Sequence, residues 1–254
     1  MVFSWVLFTL MAAFTQAWRN AFQKQLSTTV DVYGVTLARF IFAFPLALIY
    51  LFCLYWQKPT TSTINFTHFY WLYIFIAAIS QILATILLVQ LFKQKNYAIG
   101  VGLAKSEAIL AAIIGVTLLG EYLSPLAWIG VFLGGFAIFL LSKGGMQHSK
   151  FSWNTFIIGV LSGLCFAITS LLVREATLEL TSLPFLHRAA WVLMSVTGIQ
   201  CIFLLLYLTF FKRHTLVHMF DRSRLVFKNI TGAGDSATDD ITFFVVVEII
   251  VIVD

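Results

Sequence analysis

Apolar residues run along this chain in blocks of roughly 20, separated by short polar stretches. A helix that crosses a bilayer needs about 20 mostly apolar residues, and seven blocks meet that requirement. They are Val2–Phe22, Val32–Trp56, Phe69–Leu91, Tyr97–Leu119, Ser124–Leu141, Thr155–Val173 and Pro184–Phe211. Pro125 and Pro184 sit near helix starts, where a missing N–H is harmless. Pro45 lies inside the second block and should kink it. The connections QLSTTVD, KQKN, GEYL and ATLELTS are short, so consecutive helices must run antiparallel. The expectation is an all-α membrane protein, a helical bundle of about seven transmembrane helices.

The chain also carries an internal repeat. Residues 10–25 can be laid on 161–176, and residues 37–48 on 186–197 at nearly the same offset, which sets Arg39 beside Arg188. A repeat unit of five helices has an odd number of crossings. Its second copy is therefore inverted, the plan of many secondary transporters. On this reading 1–145 is a first five-helix repeat and 152–211 is an incomplete second one with two helices. Residues 212–254 form a tail, first basic (KRHTLVHMFDRSRLVFK), then polar and acidic (NITGAGDSATDD). It closes on ITFFVVVEIIVIVD, too short to span as a helix and β-branched like a strand. A second repeat cut short by a frameshift accounts for this tail most simply. A seven-helix protein with an unusual tail is the alternative.

Composition supports the membrane reading. The chain is 60% apolar and 11% charged, against about 45–50% and about 25% in soluble domains. A soluble globule, a disordered chain and a coiled coil are excluded. The net charge of +5 comes from scattered residues, which argues against nucleic-acid binding. Cys53, Cys165 and Cys201 lie in apolar runs and read as small packing residues. No cleavable signal is expected, because MVFSWVLF lacks a basic n-region. There is no GxSxG, HExxH, Walker or Rossmann motif, and the five His lack metal-ligand spacing. No enzyme activity, metal or cofactor is expected.

Lys24, Lys93, Lys95, Lys143, Lys150 and the cluster from Lys212 to Lys228 fall in the odd-numbered connections. Positive residues favour the cytoplasmic side, so the count places the N-terminus outside. Within the spans, ionisable groups are expensive and mark a pathway or a partner. Arg39 lies roughly 10 Å into the second span, and Lys105 and Glu107 roughly 12–15 Å into the fourth. Arg39 and Glu107 would be at similar depth, either as a structural pair or as part of a polar substrate site in which Glu107 couples to protons. On the first span Gln16, Arg19, Asn20 and Gln23 share one face, which should look inward or else mark the exit at the interface. GxxxG occurs at Gly130/Gly134 and at Gly159/Gly163, read as ordinary helix packing.

The stretch LLGEYLSPLAWIGVFLGGFAIFLLS (118–142) resembles the EamA-type transporters of the drug/metabolite transporter superfamily. In that family the fourth helix ends in Gly-Glu, followed by a short turn and a glycine-rich fifth helix. Gly120, Glu121, Ser124, Gly130 and Gly134 match that pattern, Trp18, Asn20 and Phe22 resemble the first-helix signature, and Arg39–Phe40 the second. The resemblance covers residues 1–211. It implies a ten-helix inverted-repeat transporter, here truncated in its second repeat, with a central cavity and no use of ATP. It implies export or import of amino acids, metabolites or drugs across the bacterial inner membrane. The chain departs from it in lacking helices eight to ten, in KSEA where a proline is common, and in a charge count opposed to the usual cytoplasmic N-terminus. Glu121 reads as a structural cap at the turn. Expected partners are the bilayer, a small-molecule substrate and a proton or sodium ion, with a homodimer as one possible assembly. The function expected is secondary transport, or that of a truncated and inactive remnant of such a transporter, with Arg39, Lys105, Glu107, Gln16, Arg19 and Asn20 as substrate-binding or coupling residues. The rival is a seven-helix receptor or scaffold that binds without transporting.

Overall fold

The computed structural model describes residues 10, 14, 16, 17, 20, 21, 23, 24, 27, 28, 31–60, 64–93, 102–120, 122–146 and 153–215. Among these residues there are helices and connections but no strand. Six helices are delimited: α1 (Val32–Gln57), α2 (His68–Phe92), α3 (Glu107–Leu118), α4 (Pro125–Met146), α5 (Trp153–Glu179) and α6 (Phe185–Phe211). The described positions between Leu10 and Ser27 are helical as well. The tail expected to end strand-like lies outside the described residues from 216 onward.

Helices α1, α2, α5 and α6 are 25 to 27 residues long and apolar enough to cross a membrane. At about 1.5 Å per residue each exceeds the roughly 30 Å hydrocarbon core. In α4 the apolar stretch is shorter, Pro125–Ile138. Local chemistry sets several ends. The Asp31 carboxylate accepts from the Val32 N–H at 2.9 Å and starts α1, as an N-cap should. Pro45 lies inside α1, which stays helical through it. Ser124 accepts from the Ala127 N–H at 3.2 Å, with Pro125 as the first residue of α4. Gly120, at φ +66°, stops α3 in a backbone conformation that side chains disfavour.

One expectation needs correction. The fourth apolar block does not form one uninterrupted helix. Residues 102–104 are helical, Lys105 and Ser106 form a turn, and α3 begins at Glu107. The turn closes by short-range bonds, Lys105 N–H to Gly102 O at 3.1 Å and Ser106 N–H to Leu103 O at 3.0 Å. Glycine at 102 weakens the helix before the break, and Ser106 followed by Glu107 is a helix-start signal after it.

The chain divides into two compact units, Ser62–Val192 and Met1–Thr61 with Leu193–Asp254. In the first of these, α2 and α5 run antiparallel and are stitched by hydroxyl groups. Thr67 donates to Glu179 Oε2 at 2.7 Å, Ser80 to Cys165 O at 2.9 Å and Ser162 to Ala84 O at 2.9 Å, while Thr169 donates to Cys165 O of its own helix at 2.8 Å and reaches Ala77 O at 3.5 Å. Ala77, Ala84, Ser162 and Ala167 are fully buried along this seam. Small residues let the backbones approach, and each hydroxyl finds a carbonyl or carboxylate acceptor that lipid does not offer. At one end Phe66 meets Tyr70, Trp71 and Trp191 with ring centroids 5.1 to 5.5 Å apart. Arg188 donates to the carbonyls of Leu183 and Thr181 and so holds the turn before α6.

In the other unit, α1 lies antiparallel to the second part of α6. Lys212 Nζ is 3.0 Å from Asp31 Oδ2 and 4.3 Å from the centre of the Tyr33 ring. Tyr33 meets Tyr207 at 5.5 Å, and Tyr207 stacks on Phe211 at 5.3 Å. Further along, a Cβ on Gly198 would touch the Phe44 ring at 3.0 Å.

Candidate substrate and coupling site

The break before α3 owes its position to two glycines on α5. A Cβ added to Gly159 would lie 2.6 Å from Leu103 Cβ. One added to Gly163 would lie 2.6 Å from Ser106 Oγ, 3.2 Å from Ala104 O and 3.3 Å from Glu107 N. The Gly159/Gly163 pair is therefore the groove into which the turn is pressed. Ser106 Oγ is buried there and has no hydrogen-bond partner among the described residues.

Glu107 is half-buried and is the first residue of α3. Negative charge there is favoured by the N-terminal end of the helix dipole. Its Oε1 accepts from Ser170 Oγ at 3.2 Å. Ser170 follows Gly159 and Gly163 on one face of α5, at spacings of four and seven residues. It also lies 2.8 Å from the Phe166 carbonyl oxygen. Lys105 is exposed in the turn. Irregular backbone at membrane depth is tolerated only when buried in protein or lining a water-filled cavity.

Arg39 lies about 10 Å along α1 from its start. It is buried, with its guanidinium carbon 5.5 Å from the centre of the Phe40 ring. It belongs to a different compact unit from Glu107. Gln16 is half-buried, and Asn20 is buried with Oδ1 unpartnered among the described residues. Gln23 is fully buried, and neither its Oε1 nor its Nε2 has a partner among those residues. Arg19, Trp18, Phe22 and Glu121 lie outside the described residues. In α4, nothing described lies within 4 Å of a Cβ built on Gly130 or Gly134. The close approach falls on Gly135, whose Cβ would be 3.1 Å from Ile109 Cδ1. Among the described residues no cluster of three His, Cys, Asp or Glu could hold a metal ion.

Ser170, Ser106 and the exact seat of the groove escaped the sequence reading. A usable signal existed: Ser170 continues the glycine face of its own helix at helical spacing.

Long apolar helices, small-residue seams and ionisable groups set within the apolar blocks define a multi-pass helical membrane protein. The EamA-like transporter family matches residues 3–143, more than half of the chain, and the chain belongs to that family. The matched region contains Arg39, Lys105, Glu107 and Gly120. A search of curated proteins finds no match. The chain is thus a membrane transporter of the drug/metabolite type, embedded in a bilayer and acting on a small molecule.

Proposed function

We propose that this chain is a secondary transporter of small polar metabolites, amino acids or drugs in the bacterial inner membrane, working by alternating access. It exports or imports without chemical conversion, with residues 1–145 as one five-helix repeat and 152–211 corresponding to the first two helices of an inverted second one. Glu107 is the coupling carboxylate. Lys105, Arg39, Gln16, Arg19 and Asn20 contribute to the polar path, and Gly120, Glu121, Gly130 and Gly134 to its framework.

The observation that carries this reading is the charged break at Lys105–Glu107, seated on Gly163 and Ser170 of α5. A carboxylate and an exposed ammonium within an apolar block are tolerated beside water or partners, not beside lipid. Helix starts that project into the membrane interior are also where transporters bind ions and substrates.

The test is reconstitution of the full chain in liposomes containing a pH-sensitive dye, with an imposed pH gradient. Pools of radiolabelled amino acids and of other polar metabolites are supplied outside. The wild type should accumulate at least one label, and proton flux should accompany that uptake. Glu107→Gln should abolish accumulation or uncouple it from the gradient, while inserting normally. Wild-type uptake and pH dependence in that variant remove Glu107 from coupling. Saturable binding with no accumulation of any pool favours the receptor or scaffold reading.

A further inference from the structure

We infer that Ser170 positions Glu107 by offering that carboxyl a hydrogen bond in both of its protonation states, as a proton-coupled carboxyl needs. The inference rests on Glu107 as the coupling carboxylate. A serine hydroxyl has one hydrogen to donate and two lone pairs to accept with. In this structure Oγ of Ser170 stands between two acceptors, Glu107 Oε1 at 3.2 Å and the Phe166 carbonyl at 2.8 Å. Its one hydrogen can serve only one of them at a time.

With Glu107 ionised, the hydroxyl donates to the carboxylate in a charge-assisted bond. When a proton arrives from water, the new carboxyl O–H donates to Ser170 Oγ. The hydroxyl hydrogen then turns to the Phe166 carbonyl, which is already in range. Glu107 gains one proton, Ser170 keeps its own, and neither state leaves the carboxyl without a partner.

Other charged or titratable groups near the pair along the described residues are these. Lys105 precedes Glu107 by two residues. On α5, Arg174 and Glu175 lie beyond Ser170 and Cys165 before it. Residues 125–138 of α4 and 74–92 of α2 contain no titratable side chain.

The experiment uses the full chain in lipid nanodiscs and dicyclohexylcarbodiimide, which modifies protonated carboxyls. Modification at Glu107 is followed by peptide mass spectrometry from acid to alkaline pH, with E107Q as the blank. Wild type should lose modification as pH rises. In S170A the pH profile of modification should differ from that of the wild type, from loss of the hydroxyl that serves both protonation states. S170T, which keeps the hydroxyl, should retain the wild-type midpoint. An unchanged midpoint in S170A overturns the role of Ser170 and leaves Glu107 as a titrating group. Absence of Glu107 modification at every pH overturns the coupling reading together with it. A midpoint that follows sodium chloride against choline chloride assigns the coupling ion to sodium and overturns the inference.

Discussion

Helix α5 makes two contacts on neighbouring faces, and they are built differently. Toward α2 it presents hydroxyls and alanines, and both helices stay regular along the seam. Toward the segment before α3 it presents glycines and Ser170, and the facing chain is turned and charged. In the first contact the named hydroxyls each have a carbonyl or carboxylate partner. The second leaves Ser106 Oγ without a described partner and a carboxyl within reach of one adaptable hydroxyl. The same helix thus carries one face whose hydroxyls are satisfied and one with hydrogen-bonding capacity to spare.

Substitutions can separate these contacts. The largest effect is expected from Gly163→Ala. Its methyl group would press on Ser106 Oγ, and also on the backbone at Ala104 O and Glu107 N, which cannot swing aside. Overpacking of this kind destabilises by about 1–3 kcal/mol, read as a lower midpoint of thermal unfolding in detergent. Gly130→Ala, with open space around it, should change the midpoint by no more than about 0.5 kcal/mol equivalent. Equal losses from both would refute the groove.

A smaller effect belongs to the other contact. Ser162→Ala removes one hydroxyl–carbonyl bond to Ala84 and should destabilise by about 0.6 kcal/mol, the typical value for such bonds between membrane helices. It should leave the pH dependence of Glu107 modification unchanged, whereas Ser170→Ala alters it. A shift in Ser162→Ala would mean that the two faces of α5 are not independent.

The smallest effect lies away from α5. Lys212→Met removes an ion pair between half-exposed groups, worth at most about 1 kcal/mol. The hydrogen bond to Asp31 raises the Lys212 pKa above its ordinary 10.5. A raised lysine pKa stabilises the folded form below the unfolded value and loses that contribution as pH rises through the folded one. Unfolding midpoints of wild type and Lys212→Met should therefore differ by a constant amount through neutral pH and converge above about pH 10.5. A difference that already fades near pH 7 would assign the effect to another group.

Much of the fold was legible because lipid imposes one rule on every span. The expected limits Val32–Trp56, Phe69–Leu91 and Pro184–Phe211 fall within a residue of α1, α2 and α6. The fourth block was harder. Hydropathy averages over Lys105–Ser106–Glu107, and the turn there depends on Gly163, which lies far along the chain. The choice of Gly135 over Gly130 and Gly134 as the close-approach position was illegible for a similar reason. Periodicity identifies a face, but only the neighbour decides which face is used. Candidate charged positions could be picked out by their cost in lipid, while Ser170 carries no charge and so gave no comparable alarm.

Asp31 caps α1 with one carboxylate oxygen and holds Lys212 with the other, across 181 residues of chain. That contact cannot form until α6 has been synthesised. The bonds joining α2 to α5 cross 78 to 112 residues, so they are available earlier on the ribosome. During synthesis, at about 5–20 residues per second, the α2–α5 wall can assemble while α1 still waits in the bilayer for its partner. The order in which the chain emerges thus makes the Asp31–Lys212 contact a late one to close.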